Sequence, residues 1–222
     1  MGIISVENTD RLFWLGRYSE RVFTTIKTFT HSYDTMIDSS EEGYKDFCAS
    51  LDIPMIYSDR DDFIRTYTFS KADPNSIMSN LLRAYDNAIL LREEIGSESL
   101  AHIQLAVYAM EKAEKSNSPL IELQLVIDHI VAFWGTFDDI VDDEQVRSLI
   151  KAGKRVERID LYARLGEERE KLVREVRRLK GRLRKTCLSY RSSAIAEIEE
   201  ELTHAHPDNR LILSRIDALF LK

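Results

Sequence analysis

The chain has 222 residues, of which 44% are hydrophobic, and its 38 acidic and 31 basic residues give a formal net charge of −7. This length is enough for one large domain or two small domains with a packed core. The acidic balance favours a soluble protein and argues against extensive nucleic-acid binding. Eight glycines and four prolines are few for this length, which favours long helices over a β architecture with many turns.

The cysteines and the apolar pattern predict the compartment. Cys48 and Cys187 are far apart and lack metal-type spacing, which predicts two free thiols in a reducing environment. The N-terminus shows no basic stretch followed by an apolar core, and no apolar run approaches the roughly 20 residues of a membrane span. We therefore expect a cytoplasmic protein that makes no contact with a membrane.

Helical periodicity of apolar residues dominates the chain, and the alternation typical of strands is nearly absent. Asn8 or Thr9 is a candidate N-cap of the first helix, and Asp73 with Pro74 is expected to open a long central helix. The expected helices span about 9–37, 41–51, 58–69, 74–95, 98–115, 120–141, 144–165, 171–185 and 210–221. The sequence therefore predicts an all-α fold, a bundle of long helices.

The composition changes beyond Gly166, where a basic segment at 171–185 carries an apolar stripe and predicts an amphipathic helix. The apolar stripe consists of Leu172, Val176, Leu179 and Leu183, and an acidic cluster at 197–201 follows. The basic face either contacts an anionic partner or is a solvated face that pairs with the acidic cluster, and we favour the pairing. The stripe also allows oligomerisation or docking of a partner helix. We expect a helical bundle at 1–165 and a C-terminal helical extension at 166–222 that packs on it.

One short phrase occurs twice in the sequence. Gly16-Arg17-Tyr18-Ser19-Glu20-Arg21 is matched by Gly153-Lys154-Arg155-Val156-Glu157-Arg158. In each copy the base, the glutamate and the last arginine lie at i, i+3 and i+4, so they share one helix face. Two helices with the same ionic face predict that the bundle has internal pseudo-symmetry. Residues 12–18 are apolar almost all round, so part of this ionic face is expected to point inward with its charges paired. The two glycines are expected to permit close helix approach or ligand access.

Three segments of the chain resemble the bacterial alpha-E domain family. Residues 11–27, RLFWLGRYSERVFTTIK, are similar to the family's opening signature Trp-Leu-Gly-Arg-Tyr-x-Glu-Arg. Residues 73–98, DPNSIMSNLLRAYDNAILLREEIGSE, resemble its middle motif, and residues 135–165, GTFDDIVDDEQVRSLIKAGKRVERIDLYARL, resemble its third motif. Three positions depart from the family pattern: Ile89 replaces an arginine, Leu100 replaces a tryptophan, and Lys154 replaces an arginine, which removes a bidentate fork.

The resemblance carries over a set of polar positions as a candidate binding cluster. Its members are Arg17, Glu20, Arg21, Asn87, Arg92, Glu93, Glu98, Lys154, Glu157, Arg158 and Asp160, and Asp143, Glu144 and Arg164 are further family positions. Family members occur alone or fused to circularly permuted ATP-grasp domains, often beside transglutaminase-like peptidases. The resemblance therefore implies an accessory or substrate-binding component of an ATP-grasp-linked amide-ligase system that makes or modifies peptides. An ATP-grasp ligase is the expected partner.

Two other functions stay open on the sequence. The chain is alternatively a stand-alone enzyme, with Glu20, Glu93 or Glu157 as a base in an arginine-lined pocket for a peptide or amino acid. It is alternatively a structural interaction module whose ionic face is a lattice of salt bridges. No catalytic residue is assigned. The chain has no Gly-x-x-x-x-Gly-Lys-Ser/Thr phosphate loop, so no cofactor of its own is expected.

Two acidic motifs resemble metal sites but lack the required second half. The Asp-Asp-x-x-Asp pattern within 138–143 is similar to a magnesium-diphosphate motif, but no second acidic motif on a facing helix is evident. Glu201 and His204 have the spacing of a di-iron ligand pair, and only one such motif is present. We expect a solvated turn with a capping aspartate at the first and an exposed helix end at the second, and no metal.

Overall fold

The structure, a computed structural model, describes residues 4–39 and 43–220, and the side chains at 4–31 and 43–220. Over these residues it contains eleven α-helices and, apart from an isolated bridge between Tyr190 and Phe220, no β structure. The helices are α1 (Val6–Ser39), α2 (Gly43–Ser50), α3 (Arg60–Phe69), α4 (Ile77–Leu90), α5 (Arg92–Ile95), α6 (Ser97–Glu114), α7 (Pro119–Ile140), α8 (Glu144–Arg164), α9 (Arg169–Leu183), α10 (Ser192–Glu201) and α11 (Asn209–Asp217). The predicted all-α fold is confirmed.

The first helix begins earlier than expected. Because α1 starts at Val6, Asn8 and Thr9 lie inside it and the prediction that one of them is the cap is wrong. Ser5 provides the capping contacts instead: its hydroxyl accepts the amide of Asn8 at 3.1 Å and its carbonyl accepts the amide of Thr9 at 2.9 Å. Residues 41–42 and 221, which two predicted helices include, lie outside the described residues.

The central helix also differs from the prediction. Ser76 is the N-cap of α4, and its hydroxyl accepts the amide of Ser79 at 2.9 Å, so the helix begins three residues after Pro74. Asp73 is not the helix cap, because its carboxylate accepts the amide of Asn75 at 2.9 Å and the hydroxyl of Tyr57 at 2.9 Å. The expected helix is interrupted at residue 91, so 92–95 form the separate helix α5.

The chain divides into two compact units. Unit 1 comprises Met1–Arg17 and Asp143–Lys222, and unit 2 comprises Tyr18–Asp142, so the division falls inside α1. This division differs from the expected boundary at residue 165, and the domain limits 1–165 and 166–222 stay a prediction. In unit 1, α9 packs on α8, and α10 and α11 complete the packing.

The core of unit 1 is aliphatic and includes the predicted apolar stripe of the basic helix. Leu172, Val176, Leu179 and Leu183 are each no more than 1% exposed. They pack with Ala152, Val156, Ile159 and Ala163 of α8 and with residues of α10 and α11. The amphipathic helix predicted from periodicity is therefore confirmed, and its apolar face is buried within the unit.

Unit 2 is built around an aromatic cluster and a helical pair formed by α6 and α7. The rings of Phe29, Phe47, Phe63 and Tyr67 lie with centroids 5.2–6.2 Å apart. Among the described helices, α7 is long and apolar enough to cross a membrane by length and composition, which corrects the expectation that no apolar run approaches a span. One such helix is a weak indication, because the core helix of a soluble protein passes the same test. The cytoplasmic location stays a prediction.

Candidate functional site

The repeated glycines lie where α1 and α8 cross within unit 1. A Cβ added to Gly16 would come within 3.0 Å of the carbonyl group of Ile150, and a Cβ added to Gly153 would come within 3.0 Å of the carbonyl group of Phe13. Real Cβ atoms essentially never approach this closely. The contact is reciprocal, because each glycine lies against the residue three positions before the other glycine. The expectation that the glycines permit close helix approach is confirmed.

The base and glutamate of the repeated phrase meet beside this crossing. Arg17 Nε donates to Glu157 Oε2 at 2.7 Å, with Glu157 2% and Arg17 22% exposed at the side chain. The guanidinium carbon of Arg17 lies 4.7 Å from the ring centroid of Trp14, whose exposed fraction is 37%. Arg17 is therefore oriented by a buried carboxylate and by an indole face, and part of its side chain still reaches solvent.

The other predicted residues of α8 lie on the same helix with different exposure. Asp160 is 3% exposed, and its Oδ2 accepts Arg164 Nε at 3.0 Å. Lys154 and Arg158 are half-buried. Glu157 thus confirms that part of the ionic face points inward, and Asp160 is a second buried carboxylate of the third motif; burial requires an ionic or hydrogen-bonding partner for each.

Two predicted residues of the first motif belong to unit 2. Glu20 is fully buried, and its Oε1 accepts the hydroxyl of Thr24 at 2.8 Å. Arg21 is half-buried, and its charge acts on Tyr67. Burial raises the pKa of the Tyr67 hydroxyl, while the charge of Arg21 acts in the opposite direction. The inward direction of part of the ionic face is therefore confirmed at Glu20 as well.

The predicted residues of the middle motif are much more exposed. Arg92, Glu93 and Glu98 are exposed and Asn87 is half-buried. Arg92 Nε donates to the hydroxyl of Ser97 at 2.9 Å across the turn between α5 and α6. The structure thus places the candidate cluster in two sets, one in each unit, and a single cluster of all eleven residues stays a prediction.

The weaker motifs have structural roles in the described part of the chain. Asp143 caps α8, since its Oδ1 accepts the amides of Gln145 at 2.7 Å and Val146 at 3.2 Å. Glu201 Oε1 accepts the amide of Asp208 at 2.7 Å and lies 3.4 Å from the exposed ring of His204. The expected capping turn and exposed helix end are both found. Among the described residues, no group of three or more His, Cys, Asp and Glu side chains is arranged to hold a metal ion.

Comparison with known proteins identifies the family. The family model that matches is Alpha-E, described as a predicted alpha-helical domain with a conserved ER motif, and the match covers residues 8–195. The chain belongs to the Alpha-E family. No curated protein and no solved structure matches it. Each copy of the repeated phrase in this Alpha-E chain contains one Glu-Arg pair, at 20–21 and at 157–158.

The Alpha-E match extends through α9, where sequence reasoning missed a buried carboxylate. Glu175 is fully buried and pairs with Arg155 at 2.6 Å, Arg178 at 2.9 Å and Arg174 at 3.5 Å. Burial raises the pKa of Glu175, but the charges of Arg155, Arg158 and Arg178 and the hydrogen bond from Arg155 more than offset it, so the net pKa is lowered. The available signal was a lone acidic residue at the edge of the apolar stripe of a basic helix.

Proposed function

We propose that this Alpha-E chain is an accessory helical component of an ATP-grasp-linked amide-ligase system. Its role is to hold an acidic peptide or amino-acid substrate and to present it to the ligase, which supplies the acyl-phosphate chemistry. The proposal is supported by the family membership and by three motifs in the family's order. The ligase partner and the peptide substrate follow from the resemblance to family members found with ATP-grasp domains.

One observation carries the substrate-binding role: the oriented, partly exposed guanidinium of Arg17. Glu157 fixes its Nε and Trp14 covers one face, so little side-chain entropy remains to be lost when a ligand binds. A planar guanidinium recognises a carboxylate through two parallel hydrogen bonds. An arginine held in this way at a partly exposed position suits the recognition of an acidic substrate group.

A structural interaction module is the second candidate, and the burial of Glu157 favours it. Buried ion pairs occur as devices that fix the register of packed helices, and they perturb local electrostatics without implying a site. In that case Arg17 would matter for folding alone. The two functions therefore differ in what happens when the arginine fork is lost and the charge is kept.

The decisive variant is Arg17→Lys. Lysine retains the charge opposite Glu157 but loses the planar fork and its stacking on Trp14. The tagged chain is purified from its native host and its companions are identified by mass spectrometry, and product formation by the recovered ATP-grasp ligase is then measured with each variant. We expect Arg17→Lys to lower ligase-dependent product formation about tenfold or more, with an unfolding temperature within a few degrees of the parent.

Arg11→Lys is the matched control. Arg11 lies in the same helix, pairs with Glu7 at 2.5 Å and is not part of the repeated phrase. We expect it to leave product formation unchanged. Unfolding of Arg17→Lys with full activity per folded molecule would support the structural module instead. Recovery of the chain without any ATP-grasp protein, or substrate turnover by the purified chain alone, would contradict the accessory role.

A further inference from the structure

The exposed side of α9 carries a row of arginines opposite the buried apolar stripe. Arg174, Arg177 and Arg178 lie in α9 and Arg184 directly follows it, and all four are exposed. We call these four residues the arginine stripe. Their spacing places them on one helix face over a length of about 15 Å.

The ion pairs around α9 leave this face with an excess of positive charge. Along its flanks Lys180 pairs with Glu199 at 2.6 Å, and Arg182 and Lys185 pair with Glu144 at 3.4 and 2.9 Å. The predicted pairing with the acidic cluster is therefore confirmed for Lys180. The charges of Lys180, Arg182 and Lys185 are therefore compensated by carboxylates, and the uncompensated positive charge lies on the stripe between them.

On the stripe itself arginines outnumber carboxylates. Arg174 and Arg178 share the single carboxylate of Glu175 with Arg155, so three guanidinium groups surround one negative charge. Among the residues whose side chains the structure describes, no ion pair involves Arg177 or Arg184. The buried Glu175 orients Arg174 and Arg178 but does not cancel their combined charge. The stripe therefore keeps a net positive charge on oriented guanidinium groups, which favours binding of an anion.

A cavity lies at the C-terminal end of the stripe. It has a volume of about 420 Å³ and is lined by Lys180, Arg184, Tyr190, Ser192, Ser193 and Glu199, with Ile195 and Ala196 as its apolar wall. Gly181 is exposed beside this end of the stripe, and a Cβ added there would meet nothing within 4 Å, so a partner backbone can approach α9 closely. Because Lys180 of this cavity is already paired with Glu199, a carboxylate-bearing side chain would find the guanidinium of Arg184 and the hydroxyl groups of Tyr190, Ser192 and Ser193 there.

We propose that the arginine stripe and this cavity form a docking surface for an acidic protein segment, an extended or helical run of Asp and Glu residues. Clusters of arginine recognise acidic motifs through charge-assisted hydrogen bonds, and the stripe is long enough for several carboxylates in a row. The surface uses other residues than Arg17 and its partners, so the proposal stands independently of the proposed function.

The chemistry of the chain favours an acidic protein over the other polyanions. The apolar face of α9 is buried in the core of unit 1, so α9 has no free apolar face to insert into a membrane. The chain has a net charge of −7 and an isoelectric point near 5.4, whereas nucleic-acid-binding domains are typically basic overall. Tyr190 of the cavity lining is half-buried, and a single ring does not provide the series of stacking platforms on which successive nucleic-acid bases bind.

The test measures binding of a labelled oligoglutamate peptide to the full chain by fluorescence anisotropy. The test variant is Arg177→Glu with Arg184→Glu, which reverses the two stripe residues that make no ion pair with the described side chains. The matched control is Lys115→Glu with Arg210→Glu, which makes the same change in net charge at exposed residues that belong neither to α9 nor to the cavity lining. Unfolding temperatures of all three proteins verify that they are folded.

We expect the parent chain and the control to bind alike, and the stripe variant to bind at least tenfold more weakly. Binding by the parent is expected to weaken several-fold between about 50 and about 200 mM salt, because exposed charges are screened. Binding that is absent at low salt, or that survives in the stripe variant, would overturn the proposal. Tighter binding of duplex DNA or of phosphatidylserine vesicles than of the peptide would also overturn it, in favour of a nucleic acid or a membrane.

Discussion

The crossing of α1 and α8 and the turn between α5 and α6 both carry residues of the Alpha-E pattern, but their environments are opposite. At the crossing, Glu157 is buried against Arg17 and the two glycines bring backbone against backbone. At the turn, Arg92, Glu93 and Glu98 are exposed. Packing and desolvation explain why the crossing needs its residue types, because a buried carboxylate requires a partner and a close crossing requires glycine.

The same argument gives no structural reason for charges at the turn. An exposed ion contributes little to stability, since water solvates it equally well in the unfolded chain. Charged residues that fold the chain are therefore expected at the crossing, and charged residues that meet a partner or substrate are expected at the turn. Arg17 has properties of both classes: it is paired with a buried carboxylate, as expected for a structural residue, and it is partly exposed, as expected for a residue that meets a ligand.

The largest effect is expected at the crossing glycines. Gly16→Ala places a methyl group within 3.0 Å of the backbone carbonyl of Ile150, and a backbone atom cannot rotate away as a side chain can. The helices must separate, and we expect a loss of about 3 kcal/mol or more in the free energy of unfolding, at or beyond the upper end of overpacking effects. Gly153→Ala is expected to behave alike, because its contact with Phe13 is the reciprocal one. Denaturant unfolding measures both.

Gly181→Ala is the matched control for these variants. Gly181 lies inside α9 of the same unit, and a Cβ there meets nothing within 4 Å. Alanine is the better helix former, so this change is expected to stabilise the protein by about 0.5–1 kcal/mol. Equal effects of Gly16→Ala and Gly181→Ala would show that the crossing is not closely packed and would remove the contrast between the two regions.

The elements that local chemistry determines were predictable from the sequence. Pro119 lies at the start of α7 and Asp143 caps α8, and both are signals read within a few residues. The start of α4 was not predictable in this way. Asp73 has the chemistry of a cap, but its carboxylate is held by Tyr57, which is sixteen residues away in sequence, and Ser76 takes the cap position. Competition between candidate caps is decided by tertiary contacts.

The close contact in the candidate site was predictable because the same phrase occurs twice in the sequence. The repeat places Gly16 and Gly153 at equivalent positions, and the structure brings them into reciprocal contact. Glu175 has no such repeat, and its pairing with Arg155 depends on how α9 packs on α8. The exposure of Arg92 and Glu98 also escaped prediction, because a motif records residue types and gives no solvent accessibility.

The second-largest effect is expected at the buried glutamate Glu157, and the exposed glutamate Glu98 provides the comparison. Glu157→Gln removes the charge opposite Arg17 in a buried position, and we expect a loss of about 3 kcal/mol in the free energy of unfolding. Glu98→Gln makes the same chemical change at an exposed residue, and we expect a change below about 0.5 kcal/mol.

The same two variants also differ in function if the turn meets a partner. Glu98→Gln is expected to weaken co-purification with the ATP-grasp ligase that we propose as the partner, while leaving the unfolding transition unchanged. Comparable stability losses in both variants would show that exposure at the turn does not predict the role of its charges. A fully stable Glu157→Gln variant would likewise remove the structural role of the crossing pair.

The smallest effect is expected at Glu144, a residue of the third motif with intermediate exposure. Hydrogen bonds from Lys185 at 2.9 Å and from Arg147 at 2.7 Å lower the pKa of Glu144 from 4.5 to about 2. A carboxylate whose pKa is lowered on folding stabilises the protein above its unfolded pKa, and this contribution is lost as the pH falls through the folded pKa. The side chain is 39% exposed, so solvent screening limits the contribution to less than about 1 kcal/mol.

We therefore expect the unfolding temperature of Glu144→Gln to lie slightly below that of the parent above pH 4.5, and the difference to disappear between pH 4.5 and about pH 2. A difference that stays constant through this range would show that the ion pairs of Glu144 do not stabilise α8, and would group this residue with the exposed charges of the turn.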